Sequence, residues 1–504
     1  MDQIVLDPTH QPIDYEHVDV SKWDQVHFIG IGGAGMSVLA EMLIEQGVKV
    51  TGSDSAKNAK TARLEEMGAT IYEGQEAAHV EGASIVVYSS AIKPDNPEIV
   101  RAYEQGSLLM HRSDILAALM AHKISITVAG AHGKTTTSAM IAQIFTSAGE
   151  NDLADPSYAI GGSIHTPDGL HEGGHAGHGD VFVAEADESD GSFLKYRPNI
   201  AVITNVEPDH LDHYGSAQAF THAFVEHAQH AQEHVIACGD DPGALSVVKS
   251  MNDEERQRAI VYTTNPELTM KFAQVVYIHT DNQSTFDGGQ DFSIRWAERY
   301  GEEMLHSHIR IPGIHNVRNA TAALIAALIV GVNPQLAVRA LDDFRGAARR
   351  FDVKAVINSI TVVDDYAHHP TEVAALMDAA RIRFPHERIR VLFQPHLFSR
   401  TYYFAQQFAQ ALEHSDEAIV TGIYPAREQQ KDWPDITSQT IPEAAKELGS
   451  LTHIRAVDDM TKAAGYLVDT AEPGDVIFTV GAGSITTMAD VIADGLEKKF
   501  APQK

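Results

Sequence analysis

A shortened phosphate-binding loop carries the most specific chemistry in this sequence. The segment ITVAGAHGKTTTSAM, residues 126–140, has the pattern of a strand, a glycine turn and a helix. A Walker loop has four residues between its first glycine and its Gly-Lys-Thr, whereas only two separate Gly130 from Gly133. Val128 stands where the first Walker glycine would lie. The segment is therefore either a variant nucleotide site or a structural turn.

The residue types of this loop suit the phosphates of a nucleotide. Its glycines let the backbone curl around a phosphate, and Lys134 supplies a positive charge to the β and γ oxygens. Thr135 can place its hydroxyl on Mg²⁺. The nucleotide-binding residues predicted in the loop are Gly130, Ala131, His132, Gly133, Lys134, Thr135 and Thr136.

Carboxylates follow two further apolar runs. Glu185 and Glu188 end the run VFVAEADES, and Glu207, Asp209 and His210 follow IAVITNV. Mg²⁺ prefers hard oxygen ligands, and the carboxyl ends of parallel strands meet at one edge of a sheet. Each cluster by itself is typical of a helix cap or a solvated loop. Three such features in series favour an ATPase-like or kinase-like site.

A second glycine turn lies near the N-terminus. Gly30, Gly32 and Gly35, with Asp54 at the end of the next strand, satisfy the dinucleotide fingerprint. The underlying requirement is only that backbone N–H groups at a helix N-terminus face an anionic diphosphate. NAD and a UDP-sugar meet that requirement equally well, so the pattern leaves both open.

The elements that position these residues alternate between strands and helices in three sections. The first contains VHFIGIGGAGMSVLAEMLIEQGVKVTGSD and ASIVVYSSAI, and the second runs from the phosphate loop to the helical segment HNVRNATAALIAALIVGV. The third follows GAARRFD, with strands in SITVVDDYA, IRVLFQPH, EAIVTGIY and DVIFTVGAG. Such alternation predicts parallel sheets with crossover helices. We expect an α/β protein of three domains, residues 1–121, 122–346 and 347–504.

Composition excludes several classes of protein. A chain of 504 residues predicts about three domains. The net charge of −31 argues against nonspecific binding to nucleic acid or anionic membrane. The single cysteine, Cys238, excludes an internal disulfide framework and a cysteine zinc site. The N-terminus lacks a signal-peptide pattern, and the apolar stretch ATAALIAALIVGV is shorter than a bilayer span, so we expect a cytoplasmic location.

Two stretches are rich in histidine. They are HTPDGLHEGGHAGHGD and HAFVEHAQHAQEH, and the second places histidines on one helical face, where pairs at i,i+3 or i,i+4 can bind metal. No carboxylate or cysteine framework completes a metal site in the sequence. We therefore predict solvated helix and loop histidines.

The motifs together resemble a known family. GAHGKTTT is followed in order by EADESDGSF, NVEPDHLDHY, PGIHNVRNATAA, GAARRFD, DDYAHHPTE and FQPHLFSRT. This series resembles the Mur ligases of peptidoglycan synthesis over essentially the whole chain. The short loop is similar to that family's own phosphate site, and GIGGAGM is similar to the UDP-binding turn of its L-alanine-adding branch.

The resemblance implies a fold, a reaction and a set of partners. It implies an N-terminal Rossmann-like UDP-binding domain, a central P-loop ATPase-type domain and a C-terminal Rossmann-like domain. The implied reaction joins L-alanine to the lactyl carboxylate of UDP-N-acetylmuramate through an acyl phosphate, with ATP, two Mg²⁺ ions and release of ADP and phosphate. We expect a monomer or weak homodimer with small-molecule partners only, neither nucleic acid nor membrane.

The resemblance also implies roles for particular residues. The expected catalytic residues are Lys134, Glu185, His210, His368 and Arg400. The expected metal ligands are Thr135, Glu185 and His210. The expected nucleotide contacts outside the loop are His315, Asn316, Arg350 and Asp365. The expected UDP-sugar contacts are Gly30, Gly32, Gly33, Ala34, Gly35, Asp54, Ser89 and Ser90. The expected amino-acid contacts are Tyr366, His368, His396 and Arg400.

Two departures bear on this assignment. Some family members carry a basic residue after the histidine of FQPH, where this chain has Leu397, so Arg400 and backbone groups would have to bind the amino-acid carboxylate. Several sibling ligases use a carbamylated lysine after the DHLD motif. This chain has no lysine between Lys195 and Lys249, which is the pattern of the L-alanine-adding branch.

Three other functions compete with this prediction. A nicotinamide-dependent oxidoreductase would explain the first glycine turn but gives Lys134, Glu185 and His210 no role. A non-catalytic ATP-binding switch would explain the loop but not the polar strand ends. A recycling ligase that adds a whole tripeptide to UDP-N-acetylmuramate is a closer rival, whose members differ around GIGGAGM and FQPHLFSRT.

Overall fold

The computed structural model of the protein describes residues 4–166, 169–281, 283–286 and 288–501. The chain divides into two compact units. Unit 1 comprises residues 1–280, 292–308 and 318–344, and unit 2 comprises residues 281–291, 309–317 and 345–504.

A five-stranded parallel sheet begins unit 1, in the order β3-β2-β1-β4-β5. Its strands are β1 Gln25–Ile29, β2 Lys49–Asp54, β3 Thr70–Glu73, β4 Ile85–Tyr88 and β5 Leu108–His111. Its helices are α1 Ala34–Glu45, α2 Ala59–Glu66, α3 Pro97–Gln105 and α4 Arg112–Met120. The strands are apolar runs because helices cover both faces of a doubly wound sheet. Val26, Phe28 and Ile29 of β1 are fully buried.

A ten-stranded sheet follows, in the order β10-β7-β11-β6-β12-β13-β14-β15-β16-β17. Its strands are β6 Ile124–Ala129, β7 Ser157–Ala159, β10 Gly174–His175, β11 Val181–Ala186, β12 Ile200–Ile203, β13 His234–Cys238, β14 Ala259–Thr263, β15 Gln274–His279, β16 Gln290–Trp296 and β17 Met304–Ile309. Strands β8 Ile164–Thr166 and β9 Gly169–His171 form a separate antiparallel pair. Pairing is parallel from β7 across to β15.

Eight helices accompany this sheet in the described chain. They are α5 Lys134–Ala148, α6 Leu211–Tyr214, α7 Ala217–His230, α8 Pro242–Ser250, α9 Asp253–Arg256, α10 Ala297–Tyr300, α11 Ile314–Val330 and α12 Pro334–Asp342. Helix α5 follows β6 directly and is almost wholly buried, with Met140, Ile144 and Phe145 fully enclosed. Burial on all sides fixes its N-terminus at the carboxyl end of β6.

A six-stranded sheet forms the core of unit 2, in the order β18-β19-β23-β20-β21-β22. Its strands are β18 Asp352–Ile357, β19 Ile360–Asp365, β20 Arg388–Phe393, β21 Glu417–Val420, β22 His453–Ala456 and β23 Asp475–Val480. Its helices are α13 Pro370–Arg383, α14 Phe398–Leu412, α15 Thr440–Leu448, α16 Met460–Asp469 and α17 Thr487–Phe500. Alternate residues enter two separate cores: Val391 packs on one face of the sheet and Leu392 on the other.

The three-domain α/β architecture expected from the sequence is confirmed, because each predicted section contains its own mainly parallel sheet. The strands and helices predicted at the named motifs lie where the apolar runs placed them. The domain boundaries at residues 121 and 346 stay predictions. Among the described residues, no helix combines the length and the apolar content needed to cross a bilayer.

Candidate active site

The phosphate loop connects β6 to α5 through two glycines with positive φ. Gly130 has φ +143° and Gly133 has φ +82°, a region that side chains strongly disfavour. A Cβ at position 130 would lie 2.1 Å from Thr204 Oγ1, and one at position 133 would lie 2.8 Å from Asn319 Oδ1. The loop therefore needs glycine at both positions for conformation and for space.

Two residues at the end of β12 hold the loop. Asn205 binds the backbone of His132 twice: its Oδ1 accepts from the N–H at 3.0 Å and its Nδ2 donates to the carbonyl at 2.8 Å. The Thr204 hydroxyl donates to the same carbonyl at 2.6 Å. The His132 ring lies 3.0 Å from the Glu207 carboxylate. Thr204 and Asn205 were not predicted as functional residues, although they form a polar pair within the run IAVITNV.

Lys134 forms a partly buried ion pair with Glu188. Its ammonium group donates to the two carboxylate oxygens at 2.9 and 3.0 Å and to the Gly130 carbonyl at 2.6 Å. Burial by itself would lower the pKa of Lys134, but the neighbouring Glu188 and Asp187 carboxylates raise it above the ordinary value. Lys134 therefore carries a full positive charge. Glu188 stood among the strand-end carboxylates in the sequence, but its partner could not be read there.

The expected metal ligands lie around the same loop. Glu185 pairs in register with Val128 across β11 and β6, and its Oε1 accepts from the Gly161 N–H at 2.8 Å. Thr135 lies buried in the first turn of α5. His210 adopts φ +52° immediately before α6. A hydroxyl and a carboxylate are the hard oxygen donors that Mg²⁺ takes, whereas the imidazole of His210 is a less typical ligand.

The N-terminal glycine turn lies at the start of α1. Gly30 has φ +78°, and Gly33 caps the helix without a side-chain hydrogen bond. The Gly32 N–H donates to Asp54 Oδ2 at 2.8 Å, so the Asp54 carboxylate lies against the turn itself. Ala34 and Gly35 form the first turn of α1.

The two serines after β4 differ in their contacts. Ser89 accepts the backbone N–H of Ile92 through its carbonyl at 2.9 Å. The Ser90 hydroxyl donates to Asp190 of the ten-stranded-sheet domain and lies 3.1 Å from His111 Nε2. In this structure Ser90 thus contributes to a polar contact between the first two sheets' domains. Its predicted contact with a UDP-sugar remains a prediction.

Unit 2 brings the four expected amino-acid contacts together. The rings of Tyr366 and His368 lie 5.3 Å apart, and those of His368 and His396 lie 5.5 Å apart. The guanidinium of Arg400 donates to His396 Nδ1 at 3.0 Å, and Arg400 is 6% exposed. The strand ends of β19 and β20 and the start of α14 supply these side chains, as the motifs indicated. Their role in binding an amino acid stays a prediction.

Tyr424, which none of the sequence motifs indicated, packs against this cluster. Its ring stacks on His396 at 5.7 Å and 16°. Its carbonyl accepts the N–H of Leu397 at 2.9 Å, and its N–H donates to the Pro395 carbonyl at 2.8 Å. Leu397 has φ +70°, which costs of order 1–3 kcal/mol for a residue with a side chain. These hydrogen bonds hold the strained turn that carries His396 and Arg400.

The expected nucleotide contacts of unit 2 lie at the start of α11 and around β19. Asn316 is buried and donates to the Pro312 carbonyl at 2.7 Å, next to His315. Asp365 accepts from the N–H groups of Phe351 and Ala367 at 2.7 and 2.8 Å. Burial raises the pKa of Asp365 to about 6. The Arg350 guanidinium lies 4.7 Å from the Tyr366 ring. The nucleotide role of these residues stays a prediction.

One histidine of the two histidine-rich stretches is buried, although solvated histidines were predicted there. His227 is fully buried in α7, and burial lowers its pKa to about 3. Its Nε2 lies 3.2 Å from the Thr127 hydroxyl of β6. The prediction of a solvated histidine is wrong there, because the same helical face that spaces the histidines also faces the sheet. Within the described chain, neither stretch contributes to a group of three side chains that could hold a metal ion.

Comparison with known proteins finds three consecutive family domains, as the three-domain architecture predicts. Three family profiles match consecutive parts of the chain: the Mur ligase family catalytic domain at residues 25–124, the Mur ligase middle domain at 128–327 and the Mur ligase glutamate ligase domain at 349–483.

Similar proteins and solved structures extend over nearly the whole chain. The UDP-N-acetylmuramate–L-alanine ligase of Bifidobacterium adolescentis is 55% identical over 98% of this chain and 96% of its own. That of Renibacterium salmoninarum is 43% identical over 95% and 97%. The crystal structure of UDP-N-acetylmuramate–alanine ligase from Thermotoga maritima is 27% identical, with a TM-score of 0.74 over 94% of this chain and 99% of that one. The chain belongs to the Mur ligase family.

Proposed function

We propose that this protein is an ATP-dependent ligase that joins L-alanine to the lactyl carboxylate of UDP-N-acetylmuramate in peptidoglycan precursor synthesis. The observation that carries the proposal is the presence of two anion-binding glycine turns within unit 1. One opens α1 at Gly30–Gly35 and the other opens α5 at Gly130–Gly133. Relatives named for this activity and matching almost end to end support the choice of substrates.

The phosphate loop would bind ATP. Helix N-termini attract phosphate through their exposed N–H groups and their dipole. Lys134, charged and partly buried beside Glu188, would neutralise the transferring phosphoryl group. Thr135 and Glu185 offer the hydroxyl and carboxylate oxygens that suit Mg²⁺, which would supply further charge neutralisation when bound. A second ion at His210 is proposed from the family resemblance.

The reaction would proceed in two transfers. The lactyl carboxylate oxygen attacks the γ-phosphorus, and the bond between that phosphorus and the bridging oxygen of ADP breaks, so that ADP leaves. The neutral amine of L-alanine then attacks the acyl carbon, the bond between that carbon and the phosphate oxygen breaks, and phosphate leaves while the nitrogen gives up a proton to the departing phosphate or to water. Both steps depend on positioning and charge neutralisation more than on covalent help from the protein.

The cluster around His396 would bind the amino acid. Arg400 offers a guanidinium for the carboxylate of a small zwitterion, and His368 offers a ring nitrogen near its amine. Leu397, in place of a basic residue, is 6% exposed, which leaves Arg400 as the cation next to His396 in this segment. His315, Asn316, Arg350 and Asp365 would contact the nucleotide.

The N-terminal turn would bind the UDP-sugar. NAD is the competing ligand for such a turn, but the membership of the family does not favour an oxidoreductase. In a nicotinamide site the corresponding acidic residue binds a ribose hydroxyl of the cofactor. Here the Asp54 carboxylate instead accepts a hydrogen bond from the Gly32 N–H of the turn. We further propose a cytoplasmic enzyme, monomeric or weakly dimeric, that binds small molecules and neither nucleic acid nor membrane.

An ADP-release assay tests the proposal. The full-length protein is mixed with ATP, Mg²⁺ and UDP-N-acetylmuramate and then given L-alanine, glycine, L-serine or the tripeptide L-alanyl-γ-D-glutamyl-meso-diaminopimelate. We expect the highest kcat/KM with L-alanine. Turnover with the tripeptide alone would assign the recycling reaction instead, and no turnover with any of them would contradict a ligase function.

A further inference from the structure

Arg112 lies between the two glycine turns of unit 1. It is the first residue of α4, and its Nη2 donates to Asp187 Oδ2 at 2.6 Å. Its other terminal nitrogen faces α1: a Cβ at Gly35 would lie 3.2 Å from Arg112 Nη1. One guanidinium thus contacts the first turn of α1 on one side and the segment that follows β11 on the other.

This position is electrostatically unusual. A guanidinium beside the N-terminus of α1 lies at the positive end of the helix dipole, and Arg112 also begins α4. The first turn of α1 contains no acidic residue that would compensate for it. Asp187 provides the partner in this structure, and a diphosphate bound at the α1 N-terminus would provide a second one.

Neighbouring contacts fix the start of α4 against the same segment. The buried Lys195 ammonium pairs with Asp114, whose other contacts are the Tyr15 hydroxyl and the His111 N–H. His111 lies 3.5 Å from Asp190. Because these contacts hold the helix start, Arg112 has a defined place from which both of its terminal nitrogens can act.

Asp187 extends the contact to the phosphate loop. Asp187 is followed in the chain by Glu188, whose two carboxylate oxygens accept from the Lys134 ammonium group at 2.9 and 3.0 Å. The charges alternate in sign from Arg112 through Asp187 and Lys134 to Glu188, across the junction between the first two domains.

We propose that Arg112 binds the diphosphate of the UDP-sugar through Nη1 while Nη2 retains Asp187, so that occupancy of the UDP-sugar site and of the ATP site strengthen each other. This inference rests on the proposed function. A diphosphate held by Nη1 would fix the guanidinium in place, and with it Asp187 and the adjacent Glu188 that binds Lys134, so that the second turn is already ordered for a triphosphate. By linkage, each ligand then improves the affinity of the other by the same factor.

Calorimetry on the full-length protein tests this. The Kd of UDP-N-acetylmuramate is measured with and without a non-hydrolysable ATP analogue and Mg²⁺, and the Kd of the analogue with and without the sugar nucleotide. In the wild type we expect each ligand to tighten the other. Arg112→Ala should weaken UDP-N-acetylmuramate binding by about tenfold or more, since a charge-assisted contact is lost, and should abolish the mutual effect.

Two variants distinguish the effect of the positive charge at position 112 from the effect of contacting both sides at once. Arg112→Lys keeps the positive charge but cannot contact both sides, so it should recover part of the UDP-N-acetylmuramate affinity without the mutual effect. Asp187→Asn should leave the affinity for UDP-N-acetylmuramate alone within about twofold of wild type while removing the mutual effect. Arg101→Ala, which removes a positive charge from α3 of the same domain, serves as the matched control and should change neither quantity.

The outcomes distinguish the inference from the proposed function. If the wild type ligates L-alanine but Arg112→Ala and Arg112→Lys both bind UDP-N-acetylmuramate like the wild type, the inference is wrong and the function stands. If the two ligands bind independently in the wild type, the coupling is wrong. If the wild type binds no UDP-N-acetylmuramate and releases no ADP, the proposed function itself fails. Unchanged thermal midpoints of the variants confirm that they are folded.

Discussion

The Lys134 ammonium group is bound on three sides, by the two oxygens of Glu188 at 2.9 and 3.0 Å and by the Gly130 carbonyl at 2.6 Å. All three of its donor hydrogens are therefore engaged in this structure. A nucleotide phosphate bound as proposed would have to share this lysine or replace one of these partners. Glu188 is only 2% exposed, so it depends on Lys134 for compensation of its charge.

Replacing Lys134 should separate catalysis from folding. Lys134→Ala should reduce ligation by at least ~10³-fold, because the phosphoryl group loses its buried cation, while UDP-N-acetylmuramate binding stays nearly intact. It should also destabilise the protein by up to about 3–5 kcal/mol, because Glu188 is left buried and unpaired. The double variant with Glu188→Gln should recover stability but not ligation. Calorimetry measures the binding of ATP and of UDP-N-acetylmuramate, and thermal unfolding measures stability. If Lys134→Ala lost the binding of both ligands, the two binding sites would not be separate.

Glu185 and Arg400 should act at different steps. Arg400→Ala should raise the KM for L-alanine roughly a hundredfold, corresponding to about 2–3 kcal/mol for a charge-assisted contact, and should still form the acyl phosphate. Glu185→Ala should stop phosphoryl transfer at any L-alanine concentration. Borohydride reduction of the intermediate distinguishes them: product is expected from the arginine variant and none from the glutamate variant. The opposite pattern would reverse the assigned roles.

Asn205 should be required for the shape of the phosphate loop. Asn205→Ala removes two hydrogen bonds to the His132 backbone, so the loop should populate conformations that do not bind phosphate. We expect the KM for ATP to rise about tenfold, as for the loss of about 1–1.5 kcal/mol, with unchanged affinity for UDP-N-acetylmuramate. Asn265→Ala, in an exposed turn of the same unit, is the control. Equal KM values for ATP in both variants and the wild type would show that the loop needs no such support.

Tyr424 should position His396 and Arg400 for the amino acid. Tyr424→Ala removes the ring that stacks on His396, so the KM for L-alanine should rise about threefold to tenfold while the KM for ATP stays constant. Tyr424→Phe keeps the ring and should behave like the wild type. Tyr403→Ala, an exposed tyrosine of α14, is the control. A similar rise of the KM for L-alanine in Tyr424→Phe would show that the hydroxyl group, and not the stacking of the ring, is responsible.

The contact of His175 with α1 should make stability depend on pH. The Glu45 carboxylate, 3.7 Å from the ring, raises the pKa of His175 to about 9 against the opposing effect of burial, with Asp155 at 2.8 Å as a further cause. A histidine pKa that is higher in the folded state stabilises fully below about pH 6.5 and loses this contribution as pH rises through about 9. Since the ring is partly exposed, we expect about 0.5–1 kcal/mol.

Thermal unfolding of the wild type and His175→Gln at pH 6, 7.5 and 9.5 measures this contribution. The difference in midpoint should be largest at pH 6 and close to zero at pH 9.5. His171→Gln, which changes an exposed histidine of β9, should show no such trend. A difference that grows with pH would mean that the histidine stabilises the protein in its neutral form.

The local sequence pattern was sufficient to predict the strands and helices and the positions of the loops between them. The apolar runs ending in Ala129, Ala186 and Ile203 became neighbouring parallel strands, so the polar residues after them gather at one edge of the sheet. The alternation of strands and helices fixed three α/β domains for the same reason. His227 shows the limit of such arguments, since its spacing was read correctly as helical but its face was assigned to solvent.

What the sequence by itself determined is therefore the class of fold, the two glycine turns and the family, because these depend on residues close together in the chain. Only the tertiary structure decided which side chains meet. Glu188 lies 54 residues from Lys134, Asn205 lies 73 from His132, and Asp187 lies 75 from Arg112. Such contacts depend on strand register and on packing between domains, and many carboxylates in an acidic chain could have served. Burial makes these particular pairs important for stability, since a charge that is removed from water needs a partner within hydrogen-bond distance.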